Sequence, residues 1–293
     1  MVQKCQETNA FIILPVPVVK ILDKGGMMRM ELNPCVLLGT ILFFTSVGLG
    51  ENKLYFAHLG WGGDDPFLQS DVVLTNPSAT STVTGNMAFF NRGLPMGIIL
   101  DPETGKLLQS VEFSVPPLGA VTFSSPGKGG SVRSGWGVVT ADGQLGGVVR
   151  WQVSGIGIAG VAAGQPVSGC ILPVRRKSNE IGTGIAVLNP DWGPVSIRMI
   201  LRDTDGNEVP DGVLYLPLDG RSHESRFVGD YFSHLGIGDF EGTVTIEVGC
   251  PEEAIYLGVA CEDLPGESVV VLGLEMGIGR EGITTLPVAP LLE

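Results

Sequence analysis

The sequence predicts an all-β protein: two tandem antiparallel β-sandwich domains with Ig-like, Greek-key connections, following an N-terminal signal segment. Short runs of β-branched and aromatic residues recur at roughly 8–15-residue spacing between Gly, Pro, Asn and Asp turns, and no helical period is sustained. Several runs alternate strictly: Val195, Ile197, Met199 and Leu201 face one way, Ser196, Arg198 and Arg202 the other. The text also repeats itself, because Ser70–Pro77 returns as Thr183–Pro190, 113 positions later. With 293 residues, 44% hydrophobic and only 17% charged, the chain has ample core for two domains and is not disordered.

The elements follow in order. Residues 1–50 form the N-terminal extension and signal. Ala10–Leu22 is broken by Pro15, Pro17 and Lys20 and is too short to cross a bilayer, which takes about 20 apolar residues. Arg29 then precedes the apolar run Cys35–Gly48, with small residues at Ser46, Gly48 and Gly50, which are the three parts of a secretory signal. Met27, Met28 or Met30 reads as the initiator, and cleavage after Gly48 or Gly50 fits. An uncleaved anchor is the alternative, for which the run is short.

Residues 51–168 form the first sandwich, with strands expected at 54–59, 70–75, 82–91, 107–115, 120–124, 135–140 and 146–152. Gly164-Gln165-Pro166 reads as the linker. Residues 169–293 form the second, with strands at 170–175, 182–188, 195–203, 212–216, 223–227, 242–248, 254–261 and 269–275, and one helical turn at 229–235. Three further matches support the duplication: Met87–Asn91 with Met199–Asp203, Val115–Gly119 with Leu216–Gly220, and Ile171–Val174 with Thr285–Val288. A closed barrel is compatible with the same strand pattern.

These motifs resemble a family of uncharacterised exported bacterial repeats. Its marks stand here as Leu54–Ala57, the turns Asn76-Pro77 and Asn189-Pro190, Pro116–Gly119 and Pro217–Gly220, and the closing Thr284–Val288. The resemblance implies tandem β-sandwiches in surface or secreted proteins and carries over no catalytic residues.

Charge and chemistry narrow the function. The formal net charge is −13, which argues against a nucleic-acid partner held through phosphates. Residues 54–169 hold 5 basic and 7 acidic side chains, and residues 170–293 hold 8 and 20, so the acidity belongs to the second sandwich. Past the signal three cysteines remain, Cys170, Cys250 and Cys261. The odd number leaves a free thiol or an intermolecular bridge, and the alternative is three buried thiols. A 250–261 bridge is disfavoured because the cross-strand neighbour of Cys250 falls near Ala254.

Trp61 and Trp192 fall in glycine- and proline-bounded turns. Loop indoles of that kind offer a flat face to a sugar or a partner protein, so they are the candidate ligand-binding residues, with packing over the sandwich end as the alternative. Asp203, Asp205 and Asn207 resemble the start of an oxygen-ligand calcium loop. Gly206 arrives two positions early for that loop, and Asp-Gly between strands is also a hairpin signal. No other cofactor is implied. Ser222 and His223 are adjacent on a strand and point to opposite faces, and no G-x-S-x-G occurs, so no nucleophile is assembled. The expected protein is a non-catalytic secreted or cell-surface structural or interaction module. Its partner is a protein or glycan, and it has no membrane contact after signal cleavage. A carbohydrate-binding module using the loop tryptophans is the alternative.

Overall fold

The computed structural model describes residues 52–178, 180–249, 268–277 and 283–291. The signal segment, the expected strand at 254–261 and the pairing of Cys250 and Cys261 lie outside them. The described chain is nearly all β and forms two separate nine-stranded antiparallel sheets plus a two-stranded hairpin.

The first sheet uses β1 (Asn52–Gly63), β2 (Leu68–Thr75), β3 (Val83–Asn91), β4 (Leu94–Pro95), β7 (Ser110–Val115), β8 (Ala120–Ser124), β9 (Gly129–Ala141), β10 (Gly146–Val153) and β11 (Gly157–Ala162). The small hairpin is β5 (Ile99–Leu100) with β6 (Leu107–Leu108). One layer reads β1-β9-β3-β7 and the other β11-β10-β2-β8. Most chain connections therefore cross between layers, while β3 to β7 and β10 to β11 stay within one, as in a Greek-key sandwich. Phe56, Leu59, Met87, Phe89, Val139 and Trp136 from one layer meet Val72, Leu74, Val149 and Trp151 from the other in one core.

The second sheet repeats that order. It comprises β12 (Gly169–Lys177), β13 (Ile181–Leu188), β14 (Val195–Arg202), β15 (Glu208–Leu218), β16 (His223–Phe227), β17 (Phe240–Gly249), β18 (Val270–Gly277), β19 (Ile283–Leu286) and β20 (Ala289–Pro290). Its layers read β12-β17-β14-β15 and β19-β18-β13-β16. The expected helical turn is α1 (Val228–Tyr231) followed by a 3₁₀ turn at Ser233–Leu235.

Matching residues make matching hydrogen bonds. Buried Asn76 donates through Nδ2 to the carbonyls of Ser81, Val115 and Pro116, and buried Asn189 does the same to Gly193, Leu218 and Asp219. Each Oδ1 accepts the backbone N–H two residues on, from Ser78 or Asp191. Ser70 and Thr183 each bridge the two layers, exchanging hydrogen bonds with the backbone of Gly60 and Arg175.

Those bonds correct the sequence matches. Val115 occupies the place of Leu218, so the match to Leu216–Gly220 is two residues out. Leu216 and Pro217 lie inside β15, and the shared turn geometry belongs to Leu118 and Arg221, at φ of 54° and 55°. Thr285–Val288 does not repeat an opening strand. It ends β19 and leads to β20, which pairs back on β12 at Cys170 and Ile171, as Gly164 pairs back on Tyr55 in the first sandwich. The short strands β11 and β19 are absent from the expected set, because glycines interrupt the first and the second is only four residues long. Trp61 stands inside β1 rather than in a turn.

Candidate functional site

The seam between the two sandwiches brings together most of the unusual side chains. It begins with β1, where the pairing advances three residues on β1 from Phe56 to Leu59 and only two on β9. This bulge keeps both apolar residues on the core and lets His58 meet the second sandwich. The imidazoles of His58 and His223 stand 5.8 Å apart, and His58 lies 6.1 Å from the Trp151 ring. Among the described residues neither histidine Nδ1 has a hydrogen-bond partner. Burial pushes His58 down to about 3, with His223 adding to the effect, and pushes His223 down to about 4, with Arg92 adding. Both rings are therefore neutral at ordinary pH.

Around the histidines the second sandwich supplies an apolar face. Ala186 and Leu188 of β13, with Val270 and Leu272 of β18, belong to the core of the first sandwich, while Ile185, Val187 and Val271 belong to the second. Strands β13 and β18 are thus buried on both faces. Beside His58 the seam opens into a cleft of about 360 Å³ lined chiefly by Ile185, Ala186, Leu272, Leu274 and Met276. The expected linker is tied down along its length. Gly164 exchanges backbone hydrogen bonds with Tyr55, Gln165 donates to the carbonyl of Lys53, and Val167 pairs with Val269. A side chain at Gly164 would collide with Val270, so glycine is required there by close approach.

The other end of the seam is an aromatic stack. The Arg221 guanidinium lies 4.1 Å from the Phe90 centroid and 4.3 Å from that of Trp192, so it is sandwiched between a ring of each sandwich. Phe90 in turn stacks on Trp136 at 4.7 Å, and Trp136 Nε1 donates to the Arg221 carbonyl at 3.1 Å. The same carbonyl accepts the N–H of Gly93, which docks the β3–β4 turn on the turn before β16. Burial holds Arg221 below its ordinary pKa.

Of the residues expected to bind a ligand, Trp192 is 81% exposed, in the turn after Asn189-Pro190, with one ring face on Arg221. Trp61 is partly buried against the core, with Arg133 over its ring at 5.4 Å. Asp203, Asp205 and Asn207 form the β14–β15 turn. Asp203 Oδ1 accepts the backbone N–H groups of Asp205 and Asn207, and Oδ2 accepts Asn207 Nδ2. These bonds, led by the one from the Asn207 backbone, hold the Asp203 carboxyl below its usual range. Gly206 at φ 82° closes the turn. Among the described residues no three His, Cys, Asp or Glu side chains converge as a metal site would require. Ser222 Oγ donates to the Asp219 carbonyl, away from His223. Cys170 is buried, and burial pushes its thiol up to about 12.

Sequence reasoning missed Arg221 and His58. Arg221 follows a glycine in an unremarkable turn, and nothing local announces its partners 131 positions upstream at Phe90 and 29 positions upstream at Trp192. No family model, curated protein or solved structure matches the chain.

Proposed function

We propose that this is a non-catalytic secreted or cell-surface interaction protein, a tandem repeat of one β-sandwich unit that displays its loops on a fixed two-domain frame. The observation that carries the reading is the seam: one sandwich's core continues into the neighbouring strands Ala186–Leu188 and Val270–Leu272, so loops of both are held in constant relation. Preorganised loops bind with less ordering cost than loops on a hinged pair. The export half of the proposal rests on the signal-like run at 35–50 and the resemblance to exported bacterial repeats. It is tested by the intact mass and cellular fraction of the native protein. A chain starting at Leu49 or Glu51, found outside the cytoplasmic membrane, is expected. Full-length protein in the cytosol would overturn it.

A second reading is carbohydrate binding, favoured by Trp192. An exposed indole braced from behind by a guanidinium is a rigid flat platform of the kind that accepts a sugar ring. Retention on a polysaccharide matrix, lost in Trp192→Ala, is the expected result.

A further inference from the structure

We infer that the ligand surface at the Trp192 end of the seam is built for an anionic glycan, one bearing carboxylate or sulfate groups. This rests on the carbohydrate-binding reading and names its substrate class. The observation is local charge against the global charge. The protein carries a formal −13, yet Arg92, Arg133 and Arg221 gather on this one side of the seam. Arg92 and Arg133 are exposed and line one cleft of about 610 Å³ between the β3–β4 turn and the start of β9. Arg221 adjoins it, because the N–H of Gly93, next to Arg92, donates to the Arg221 carbonyl at 2.9 Å. None of the three makes a salt bridge among the described residues, a lack shared only with Arg176 and Arg202 of the described arginines, whereas Arg150, Arg175, Arg198 and Arg226 each do. Arg133 and Arg221 instead lie over aromatic rings, which fixes their planes without neutralising them.

The remaining lining suits a sugar chain. Asn91 and Ser134 offer hydrogen-bonding groups, and Leu94 and Val132 are 70% and 59% exposed beside them. The braced Trp192 stacks the apolar face of a ring while unpaired guanidinium forks meet its acidic substituents bidentately. An acidic polymer is repelled by most of this surface and attracted here, so the field also selects the docking site.

The test is affinity electrophoresis of the full protein in gels containing heparin, polygalacturonate or dextran, with poly-glutamate as a non-sugar polyanion. Retardation by heparin or polygalacturonate is expected, weakening with salt as charge contacts do. Arg92→Glu, Arg133→Glu and Trp192→Ala should each weaken it by about ten-fold or more. Arg150→Glu changes the net charge equally on the opposite layer and should leave it unchanged. Melting temperatures identify a variant that has lost its fold, and exposed Arg92, on a turn, carries the test if Arg133→Glu unfolds. Retardation by dextran that ignores the arginine variants but needs Trp192 would overturn the anionic inference and keep the glycan reading. Retardation by poly-glutamate as strong as by the polysaccharides would overturn it in favour of an acidic peptide. No retardation by any polysaccharide would overturn both.

Discussion

Asn76 and Asn189 show how much one polar side chain can hold when it is buried. Each donates to three carbonyls, one from its own loop and two at the end of β7 or β15. Replacing either by Ala should lower the unfolding free energy by about 2–4 kcal/mol, measured by urea denaturation, because the carbonyls are left without partners. The Asn-Pro text announced these turns but not the donor role of the side chain, since two of the three accepting carbonyls lie 39 and 40 positions away for Asn76 and 29 and 30 for Asn189. His58 and His223 carry the clearest pH dependence. Both titrate lower in the folded chain, at about 3 and about 4, than the unfolded value of 6.5. Their contribution to stability is complete above pH 6.5 and is lost as pH falls through it toward the folded values, because the unfolded state binds the protons first. The urea midpoint should therefore drop between about pH 7.5 and about pH 4.5, and His58→Gln should shrink that drop. An equal drop in His58→Gln would remove His58 from the account.

At the scale of elements, most strands were legible as short runs bounded by turn residues. Strands β8 and β16 fall at the expected residues, and β2, β10, β13 and β14 within two. Where two faces are buried the pattern changes, and the difference between the two sandwiches was already written in the sequence. β2 alternates, with Asp71 and Thr75 outward, whereas β13 closes on the unbroken run Ile185–Leu188 and β18 opens on Val270–Leu272. A strand covered on both sides reads as a continuous apolar run. Those runs predicted strands correctly but did not say which second surface covers them, because that surface, β1, lies more than a hundred residues away. Leu272→Glu puts a charge into the seam without touching the core of the second sandwich, where Val271 points. It should cost several kcal/mol, roughly the price of an unpaired buried charge. The result should be two separate thermal transitions, whereas Val271→Ala lowers stability without splitting the transition.

For the whole molecule, the linker, the two-faced strands and the Arg221 stack all oppose hinge motion. Inter-domain contacts within a chain are ordinarily small and polar, and domains joined by them move independently. Here the first core runs into the second sandwich, and the linker is hydrogen-bonded on both sides. The candidate surface around Trp192 is assembled from both sandwiches, so it exists only while they stay together. The sequence predicted an all-β chain with two sandwiches and hid the joint, since composition and spacing say little about the face between them. Differential scanning calorimetry of the full protein tests this joint most directly. One cooperative transition, with calorimetric and van't Hoff enthalpies in a ratio near one, is the result predicted for sandwiches that unfold as a unit. Two resolved transitions would show that the sandwiches unfold independently, and would contradict the fixed frame on which the proposed function depends.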